Sequence, residues 1–213
     1  MSDDIPSIGI KKITTKHNGP YGVHGNIPLV KKTQVVSEYG EPLTWKKDGN
    51  IDCAGEEYYL CRCGGSASMP FSDGTHRTNG FDGTENAQTD VPSDYLFDFQ
   101  GTDLIVTKDP TLCMSSGFCG MRDKEISQFV AESDDTEARS LAIAMVERCP
   151  SGALTYKIHK EDVDIEPDLP FQIADTIEIT SDGPISGPLW VTGCVQIERS
   201  DGQPFEGRNR VTL

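Results

Sequence analysis

Two groups of side chains in the sequence have the types and spacing that bind metals. The stretch "CRCGGSASMPFSDGTH", residues 61–76, contains two cysteines two positions apart and ends in a histidine. In an extended strand Cys61 and Cys63 point to the same face, and in a helical turn Ser72 and His76 share a face. Two thiolates, one imidazole and one further ligand satisfy tetrahedral zinc or a two-iron cluster. We therefore predict a metal site formed by Cys61, Cys63, Ser72 and His76.

The second group consists of Cys113, Cys119 and Cys149, in the pattern C-x5-C-x29-C-P. Bacterial ferredoxins use C-x2-C-x2-C together with a distant C-P pair. In this chain the outer positions of the first run are cysteine, the middle position is Ser116, and Cys149 precedes Pro150. Three thiolates suit a [3Fe-4S] cluster, or a [4Fe-4S] cluster whose fourth iron takes an oxygen or non-protein ligand.

The remaining cysteines and histidines fit no ligand pattern. Cys53 and Cys194 stand apart from both groups, and we expect structural or incidental thiols there. The histidines outside the first group, His17, His24 and His159, lie in polar contexts that are typical of solvated or turn histidines. An odd count of seven cysteines without an export signal favours reduced thiols over disulfides.

The chain is strongly acidic, with 34 Asp and Glu against 19 Lys and Arg and a formal net charge of -15. This charge repels phosphate backbones and anionic membranes, so we expect no nucleic-acid or membrane partner and favour redox partner proteins with basic surfaces. The N-terminal residues lack the apolar core of a signal peptide, and no apolar run reaches the length of a membrane span. We therefore expect a cytoplasmic protein.

The sequence carries none of the common catalytic motifs. It contains no nucleophile and base at convincing spacing, no glycine-rich dinucleotide or phosphate loop, and no helix with a two-histidine metal motif. These absences favour a carrier over an enzyme, and we expect the reaction chemistry to belong to partner proteins.

The pattern of strand and helix signals along the chain predicts an α+β fold. In this fold small β-rich units flank a central α+β domain that positions the second group of cysteines. We predict domains at 1–92, 93–162 and 171–213. In the central domain a hairpin over 95–110 precedes the first two cysteines, and a helix over 134–149 has Cys149 as its last apolar residue. Asp135 or Thr136 can cap this helix, Pro150 ends it, and the strand "ALTYKI" and an acidic linker follow.

The last segment repeats part of the first. The stretch "GPYGVHGNIPL" at 19–29 resembles "GPLWVTGCVQI" at 187–197, "YGEPL" at 39–43 resembles "DGQPF" at 201–205, and "YYL" before Cys61 resembles the terminal "VTL". Cys194 then aligns with Asn26, which argues against a ligand role for Cys194. The second copy stops just before its own cysteine motif would begin, as a shortened chain would also do.

The first metal-binding group resembles the signature of the CDGSH iron-sulfur domain, C-x-C-x2-S-x3-P-x-C-D-G-[ST]-H. One position differs, because Ser72 stands where the family has its third cysteine. The matching residues are Cys61, Cys63, Ser66, Pro70, Asp73, Gly74, Thr75 and His76. The resemblance implies a [2Fe-2S] cluster with one iron held by Cys61 and Cys63 and the other by position 72 and His76.

Ser72 leaves the content of this site open. A hydroxyl is far less acidic than a thiol, whose pKa is about 8.5, so ligation by serine requires a metal-stabilised alkoxide. The alternatives are a serine-ligated cluster, another ion such as zinc, an empty site, or an introduced change of cysteine to serine. His76 is expected to be the labile ligand, because an imidazole binds metal only when unprotonated, and the resemblance also implies proton-linked cluster release.

The central segment resembles the divergent single-cluster ferredoxins, including the [3Fe-4S] type that serves cytochromes P450. The likeness lies in the cysteine spacing, in "CPSGAL", and in the helix before Cys149. The two resemblances together imply an electron-transfer protein. The alternatives are storage, sensing or transfer of clusters or iron, or a zinc-bound or metal-free scaffold at the first site. CDGSH units pair, so we expect a homodimer or an intramolecular pseudo-dimer of the CDGSH-like units.

Overall fold

The computed structural model describes residues 11–87 and 95–213, and within them it shows a β-rich α+β fold. The strands are β1 Lys12–Thr15, β2 Tyr21–His24, β3 Leu29–Val36, β4 Pro42–Ile51, β5 Glu57–Leu60, β6 Phe97–Gln100, β7 Ile105–Lys108, β8 Gly120–Met121, β9 Lys124–Glu125, β10 Leu154–Lys157, β11 Gln172–Thr180, β12 Gly183–Thr192, β13 Gln196–Glu198 and β14 Arg210–Thr212. The helices are α1 Ile126–Ala131 and α2 Thr136–Arg148.

Two sheets each combine strands from both ends of the chain. The first sheet has the order β13-β1-β2-β5, and the second has the order β14-β12-β11-β3-β4. The strands that cross between the two ends pair in parallel, β13 with β1 and β3 with β11. Both sheets contribute to one apolar core, formed by Ile13, Val23, Ile27, Leu29, Tyr58, Leu60, Ile173, Leu189, Val191, Val195 and Ile197.

The first and last segments of the chain use the same strand registers. Val23 pairs with Tyr58 between β2 and β5, and Val191 pairs with Val211 between β12 and β14. The crossing pairs also correspond, because Ile13 pairs with Ile197 and Ile173 pairs with Leu29. The last segment therefore supplies β13 to the first sheet, and the first segment supplies β3 and β4 to the second sheet.

The turns of these two segments also correspond. Asn26 and Cys194 both adopt left-handed backbone, with φ of 52° and 59°, a conformation that is uncommon for residues other than glycine. Gly40 and Gly202 follow at φ of 83° and 84°, where glycine carries no steric cost. The alignment of the two sequence stretches therefore corresponds to a shared backbone path.

The central segment forms a separate apolar core beneath a three-stranded sheet of order β10-β7-β6. Helix α2 begins after Asp135, whose side chain accepts a hydrogen bond from the Ala138 backbone N–H at 2.9 Å, and it ends before Cys149. The predicted helix, hairpin and strand are confirmed. The six-residue helix α1 was not predicted, because its start is set by a capping box of Glu125 and Gln128 rather than by a long apolar period.

The central core rests on the outer face of the second sheet. The rings of Trp45 on β4 and Phe118 lie 5.5 Å apart between centroids, and Trp45 lies 5.8 Å from Trp190 on β12. A Cβ atom on Gly117 would lie 3.1 Å from Cγ of Pro42, closer than most real contacts. The loop that carries Cys119 is therefore packed directly against the second sheet.

The predicted boundary between residues 92 and 93 lies outside the described residues, as do residues 1–10. The acidic stretch after β10 joins the central core to β11 without forming a strand of its own, apart from a single bridge between Ile165 and Tyr156. Among the helices that the structure describes, none has the length and apolar character needed to cross a bilayer. The cysteines, all seven of which are described, form no disulfide.

Candidate metal centres

Cys61 and Cys63 lie together at the end of β5. Their Sγ atoms are 3.8 Å apart, and Cys61 is 8% exposed. The expectation that both cysteines lie in a strand was wrong, because β5 ends at Leu60 and the chain turns immediately afterwards. Gly64, with φ of 70°, takes the left-handed conformation that this turn requires. The turn, rather than strand alternation, brings the two thiols together.

The chain after this turn folds back along β5. The Cys61 backbone N–H donates to the Pro70 carbonyl at 2.8 Å, and the Ser72 N–H donates to the Tyr59 carbonyl at 2.9 Å. The peptide between Met69 and Pro70 is cis. These two hydrogen bonds place Ser72 beside the strand that leads to Cys61.

Asp73 closes the loop between the two predicted ligand pairs. Its carboxylate accepts hydrogen bonds from the Ala67 N–H at 2.9 Å and the Thr75 N–H at 3.0 Å. The hydrogen bonds from Thr75 and Ala67 hold the pKa of Asp73 well below its usual range. The aspartate of the motif therefore holds the loop between the two ligand pairs in this chain.

Ser72 and His76 face a shared open groove. The groove has a volume of about 650 Å³, and its walls include Lys16, His17 and Arg77. The helical turn that was expected to contain both residues begins only at Thr75, after the left-handed Gly74, so Ser72 precedes it. Both side chains are half-buried, and solvent reaches this side of the site.

Hydrogen bonds around the Cys63 thiol favour its deprotonated form. A backbone N–H of Gly65 and, to a smaller degree, the side chains of Cys61 and Asn79 lower the pKa of Cys63, which favours the thiolate form that binds metal. A Cβ atom on Gly65 would lie 2.9 Å from Nδ2 of Asn79 and 3.8 Å from Sγ of Cys63. Glycine at this position therefore leaves space beside the sulfur that any other side chain would fill.

The second candidate site is a small cavity in the central core. Cys113, Cys119 and Cys149 all line it, together with Ser116 and Lys108. Burial raises the pKa of Cys119, Lys108 opposes this shift, and the neighbouring Cys149 and Cys113 add to it. The three predicted ligands are therefore electrostatic neighbours, although they come from two distant parts of the sequence.

The surrounding backbone fixes the loop that carries the first two of these cysteines. Asp109 accepts a hydrogen bond from the Thr111 N–H at 2.9 Å and caps the 3-10 turn that ends at Cys113. Ser115 and Gly117 have left-handed φ values of 59° and 79°. Cys113 is exposed, whereas Cys149 is buried in the core. The site therefore opens to solvent on the side of Cys113.

The described residues contain no group of three or more His, Cys, Asp or Glu side chains already gathered at the spacing of metal ligands. Cys61 and Cys63 lie together and Ser72 and His76 share a groove, but the two pairs are not drawn into one group. The cavity of the three-cysteine site measures about 30 Å³, about the share of one water molecule. The donor chemistry of both sites, thiolates at the second and thiolates with an imidazole at the first, fits iron-sulfur clusters.

Sequence reasoning missed the contacts that other elements make with the three-cysteine site. Arg210 on β14 is buried and hydrogen-bonds the Cys149 carbonyl, although 61 positions separate them. Trp45 and Phe118 pack together across a similar distance in the chain. Spacing motifs do not report such pairs. The repeat gives one indication that Arg210 has a separate role. It aligns Arg210 with Glu57, so the two segments carry opposite charges at this position.

Comparison with known families gives two matches that do not overlap. The family model for a CDGSH-type iron-binding zinc finger matches residues 18–77, and the model for a divergent 4Fe-4S mono-cluster matches residues 99–159. No curated protein and no solved structure matches the chain. Residues 171–213 lie outside both matches, so the second CDGSH-like unit stays a prediction. The chain is therefore an iron-sulfur protein that joins a CDGSH-type domain, of the kind that binds a [2Fe-2S] cluster, to a divergent 4Fe-4S mono-cluster domain.

Proposed function

We propose that this protein is an electron carrier that accepts one electron from a partner protein and passes it to another. Cys113, Cys119 and Cys149 hold the ferredoxin-type cluster, and a second cluster is held by Cys61, Cys63, Ser72 and His76. The bound clusters supply reversible one-electron chemistry. The polypeptide forms and breaks no substrate bond in this function.

The observation that carries this proposal is the unequal exposure of the three-cysteine site. Cys149 is buried and Cys113 is exposed, so the residues exclude water from one side of the site and leave the other side at the protein surface. A carrier needs both features, because a buried edge protects the cluster from hydrolysis and a surface edge brings it close to a docked partner. Lys108 lines the same cavity and offsets part of the negative charge of the thiolates.

The net charge of -15 supports a basic partner. Attraction between oppositely charged surfaces speeds association and weakens as ionic strength rises. We therefore expect the anaerobically purified, reduced chain to transfer electrons faster to a basic one-electron acceptor protein than to an acidic one. Stopped-flow rates at low and high salt measure this difference.

Metal analysis with EPR of the oxidised and reduced chain tests the proposal directly. We expect iron and inorganic sulfide, an EPR signal that changes on one-electron reduction, and reoxidation by the acceptor. A chain that contains zinc and no sulfide, or a cluster that cannot be reduced and reoxidised, contradicts the carrier function. A Cys119→Ala variant serves as the control that loses the ferredoxin-type signal.

A second function, release or transfer of a cluster, is favoured by the groove at Ser72 and His76. The groove of about 650 Å³ opens these two side chains to solvent, whereas Cys61 is buried. One side of the CDGSH-type site is thus accessible to an acceptor. Incubation with a cluster-free ferredoxin separates the two functions, because a donor loses iron and sulfide to the acceptor while a carrier keeps them.

We also propose that residues 171–213 form a second CDGSH-like β unit that pairs with the first as an intramolecular pseudo-dimer. The equal registers of Val23 with Tyr58 and Val191 with Val211 support this proposal, as do the parallel crossing strands. The pairing predicts a monomer in solution. Sedimentation equilibrium tests it, and a stable homodimer would favour pairing between chains instead.

A scaffold role for the first site remains the third candidate. Asp73, Ser66 and the return of the chain along β5 hold the loop with protein hydrogen bonds alone. If the chain carries a ferredoxin-type cluster but only zinc or no metal at Cys61 and Cys63, the loop serves as a structural element. A Cys61→Ala variant decides between a cluster site and a scaffold. Selective loss of one of two spectroscopic signals in this variant indicates a cluster at the first site.

A further inference from the structure

Arg210, on β14, is the largest fully buried side chain in the described part of the protein, and it contacts the backbone of Cys149 in the central segment. Its Nε donates to the Cys149 carbonyl at 2.8 Å, and its Nη2 donates to the carbonyls of Val146 and Leu154 at 3.0 Å each. Its Nη1 pairs with the Glu166 carboxylate. A guanidinium with every nitrogen bonded is fixed in one orientation.

Two of these hydrogen bonds reach carbonyls at the C-terminal end of helix α2, those of Val146 and Cys149. Val146 lies in the last turn of α2, and Cys149 is its C-terminal cap residue. The last four carbonyls of a helix have no partner within the helix, and a cation there also offsets the negative end of the helix dipole. Arg210 therefore fixes the backbone at the residue that supplies the third thiolate.

The backbone around Arg210 is fitted to this contact. Gly152 has φ of 71°, and a Cβ atom there would lie 2.9 Å from the Arg210 carbonyl oxygen. No side chain larger than hydrogen fits between β14 and the turn after Cys149. The turn after Cys149 thus contacts Arg210 in two ways, through close backbone packing at Gly152 and through hydrogen bonds to the buried side chain.

The corresponding position in the first segment differs in each of these respects. Glu57 pairs with His24 between β5 and β2, as Arg210 pairs with Thr192 between β14 and β12. Glu57 is exposed, and its carboxylate lies 2.9 Å from Nδ1 of the His24 ring. Only the last segment therefore places a buried cation at this register, and only the last segment contacts Cys149 there.

We propose that Arg210 is a positioning residue for the ferredoxin-type cluster, which orients Cys149 through its carbonyl and raises the reduction potential by placing a positive charge beside this ligand. Glu166 limits that effect by partly neutralising the guanidinium. This inference rests on the proposed electron-carrier function. The last segment thereby has a role in setting the reduction potential of the cluster in the central segment.

Redox titration followed by EPR tests the charge effect in the full chain. Arg210→Gln lowers the potential, Glu166→Gln raises it, and Arg210→Lys stays close to the unchanged protein because the charge is kept. We expect a change of about tenfold in the reduction equilibrium constant for each neutral variant, which is 59 mV for one electron. A merely structural role of Arg210 does not predict opposite shifts of the reduction potential in Arg210→Gln and Glu166→Gln. Shifts in the same direction, or no shift, would therefore overturn the proposal.

Arg208→Gln is the matched control. It removes the same charge two positions away, at a partly exposed side chain that pairs with Glu206 at 2.7 Å and with Asp109 at 3.9 Å, and we expect a smaller shift. If Arg210→Gln fails to fold, the Glu166→Gln variant still measures the charge effect against this control. A shift in Arg208→Gln as large as the others would also count against a specific role for Arg210.

Alkylation of Cys149 tests the positioning effect without a cluster. In the cluster-free full chain, peptide mapping by mass spectrometry gives the rate at which iodoacetamide modifies Cys149. Loss of the Arg210 hydrogen bonds in Arg210→Gln is expected to raise this rate at least tenfold, with Arg210→Lys in between. An unchanged rate overturns the positioning role, whereas a chain that never binds a redox-active cluster contradicts the proposed function instead.

Discussion

The indole ring of Trp45 and the phenyl ring of Phe118 pack at 5.5 Å between centroids, and this contact joins the second sheet to the loop that carries Cys119. Phe118 is 3% exposed and Trp45 is half-buried, so the Phe118 side of the contact is shielded from water. Trp190 extends the group at 5.8 Å from Trp45. The loop of the three-cysteine site is therefore supported by side chains of the β-sheet as well as by its own core.

Trp45→Ala tests this support. Removing a large aromatic side chain from a partly buried contact is expected to reduce the free energy of unfolding by about 2 to 3 kcal/mol. Because Phe118 precedes Cys119, the ferredoxin-type cluster should also be lost faster. Chemical denaturation and the decay of visible absorbance measure the two effects.

Leu43→Ala is the control for Trp45→Ala. Leu43 lies on the same strand and is 36% exposed, so its truncation should change stability by less than about 1 kcal/mol and leave cluster decay unchanged. Equal decay rates in the two variants would show that β4 does not support the loop.

Ser72→Cys tests the fourth ligand of the CDGSH-type site. Ser72 lies beside β5 and faces the groove of His76, so a thiol at this position has the reach of the present hydroxyl. We expect higher iron and sulfide content and stronger visible absorbance, because thiolate is the softer ligand and is formed at lower pH. Metal and sulfide analysis after anaerobic reconstitution measures the gain.

Ser68→Cys adds a thiol to the same loop as the control for Ser72→Cys. Ser68 is exposed and its backbone N–H bonds to Ser66, so it does not face the groove. A gain in Ser68→Cys as large as in Ser72→Cys would mean that any added thiol promotes reconstitution. Unchanged metal content in both variants would mean that the site does not accept a [2Fe-2S] cluster.

Asp73 can be separated from His76 as a source of acid sensitivity in the CDGSH-type site. The pKa of Asp73 lies well below its usual range, because Thr75 and Ala67 bond to the charged form. Its folded pKa is thus below its unfolded one, so its contribution to stability is present above the unfolded value of about 4 and is lost only as pH falls through the folded value. Asp73 therefore stays ionised between about pH 5 and 7, where a histidine takes up a proton.

We expect the visible absorbance of this cluster to bleach faster below neutral pH, and His76→Cys to remove that dependence. Stopped-flow bleaching across pH measures both. Asp73→Ala should instead speed loss at every pH, by roughly 10- to 100-fold, because it removes hydrogen bonds outside the ligand shell. Persistent acid sensitivity in His76→Cys would contradict the assignment.

Local patterns in the sequence were enough to predict several elements. Helix α2 was predicted from apolar spacing, with Asp135 or Thr136 as its cap, and the structure shows Asp135 in that position. Both signals act within a few positions of the chain. The repeat of 19–29 in 187–197 has equivalent backbone because the left-handed positions of Asn26 and Cys194 depend on local turns. The sites of Cys61 and Cys149 were chosen for the same reason, since ligand motifs are also local.

The contacts between units could not be predicted in this way. Cys61 and Cys63 were placed in a strand, but the strand ends at Leu60 because the two glycines that follow turn the chain. Arg210 reaches Cys149 only because β14 joins the second sheet and the central core rests against it. Such contacts depend on how the sheets pair and pack, and the spacing of residues in the sequence does not predict that arrangement.

Ser116→Cys tests the type of cluster at the three-cysteine site. Ser116 stands at the position where bacterial ferredoxins have the middle cysteine and lines the cavity of Cys113, Cys119 and Cys149. A fourth thiolate is expected to convert a [3Fe-4S] cluster, which is EPR-active when oxidised, into a [4Fe-4S] cluster that is EPR-active when reduced. Iron per chain and EPR of both redox states measure this conversion. Ser140→Cys is the matched control, since Ser140 is exposed on α2 and does not line this cavity. If the unchanged protein already gives the signal of a reduced [4Fe-4S] cluster, the fourth iron takes an oxygen or non-protein ligand, and Ser116→Ala then decides whether that oxygen belongs to Ser116.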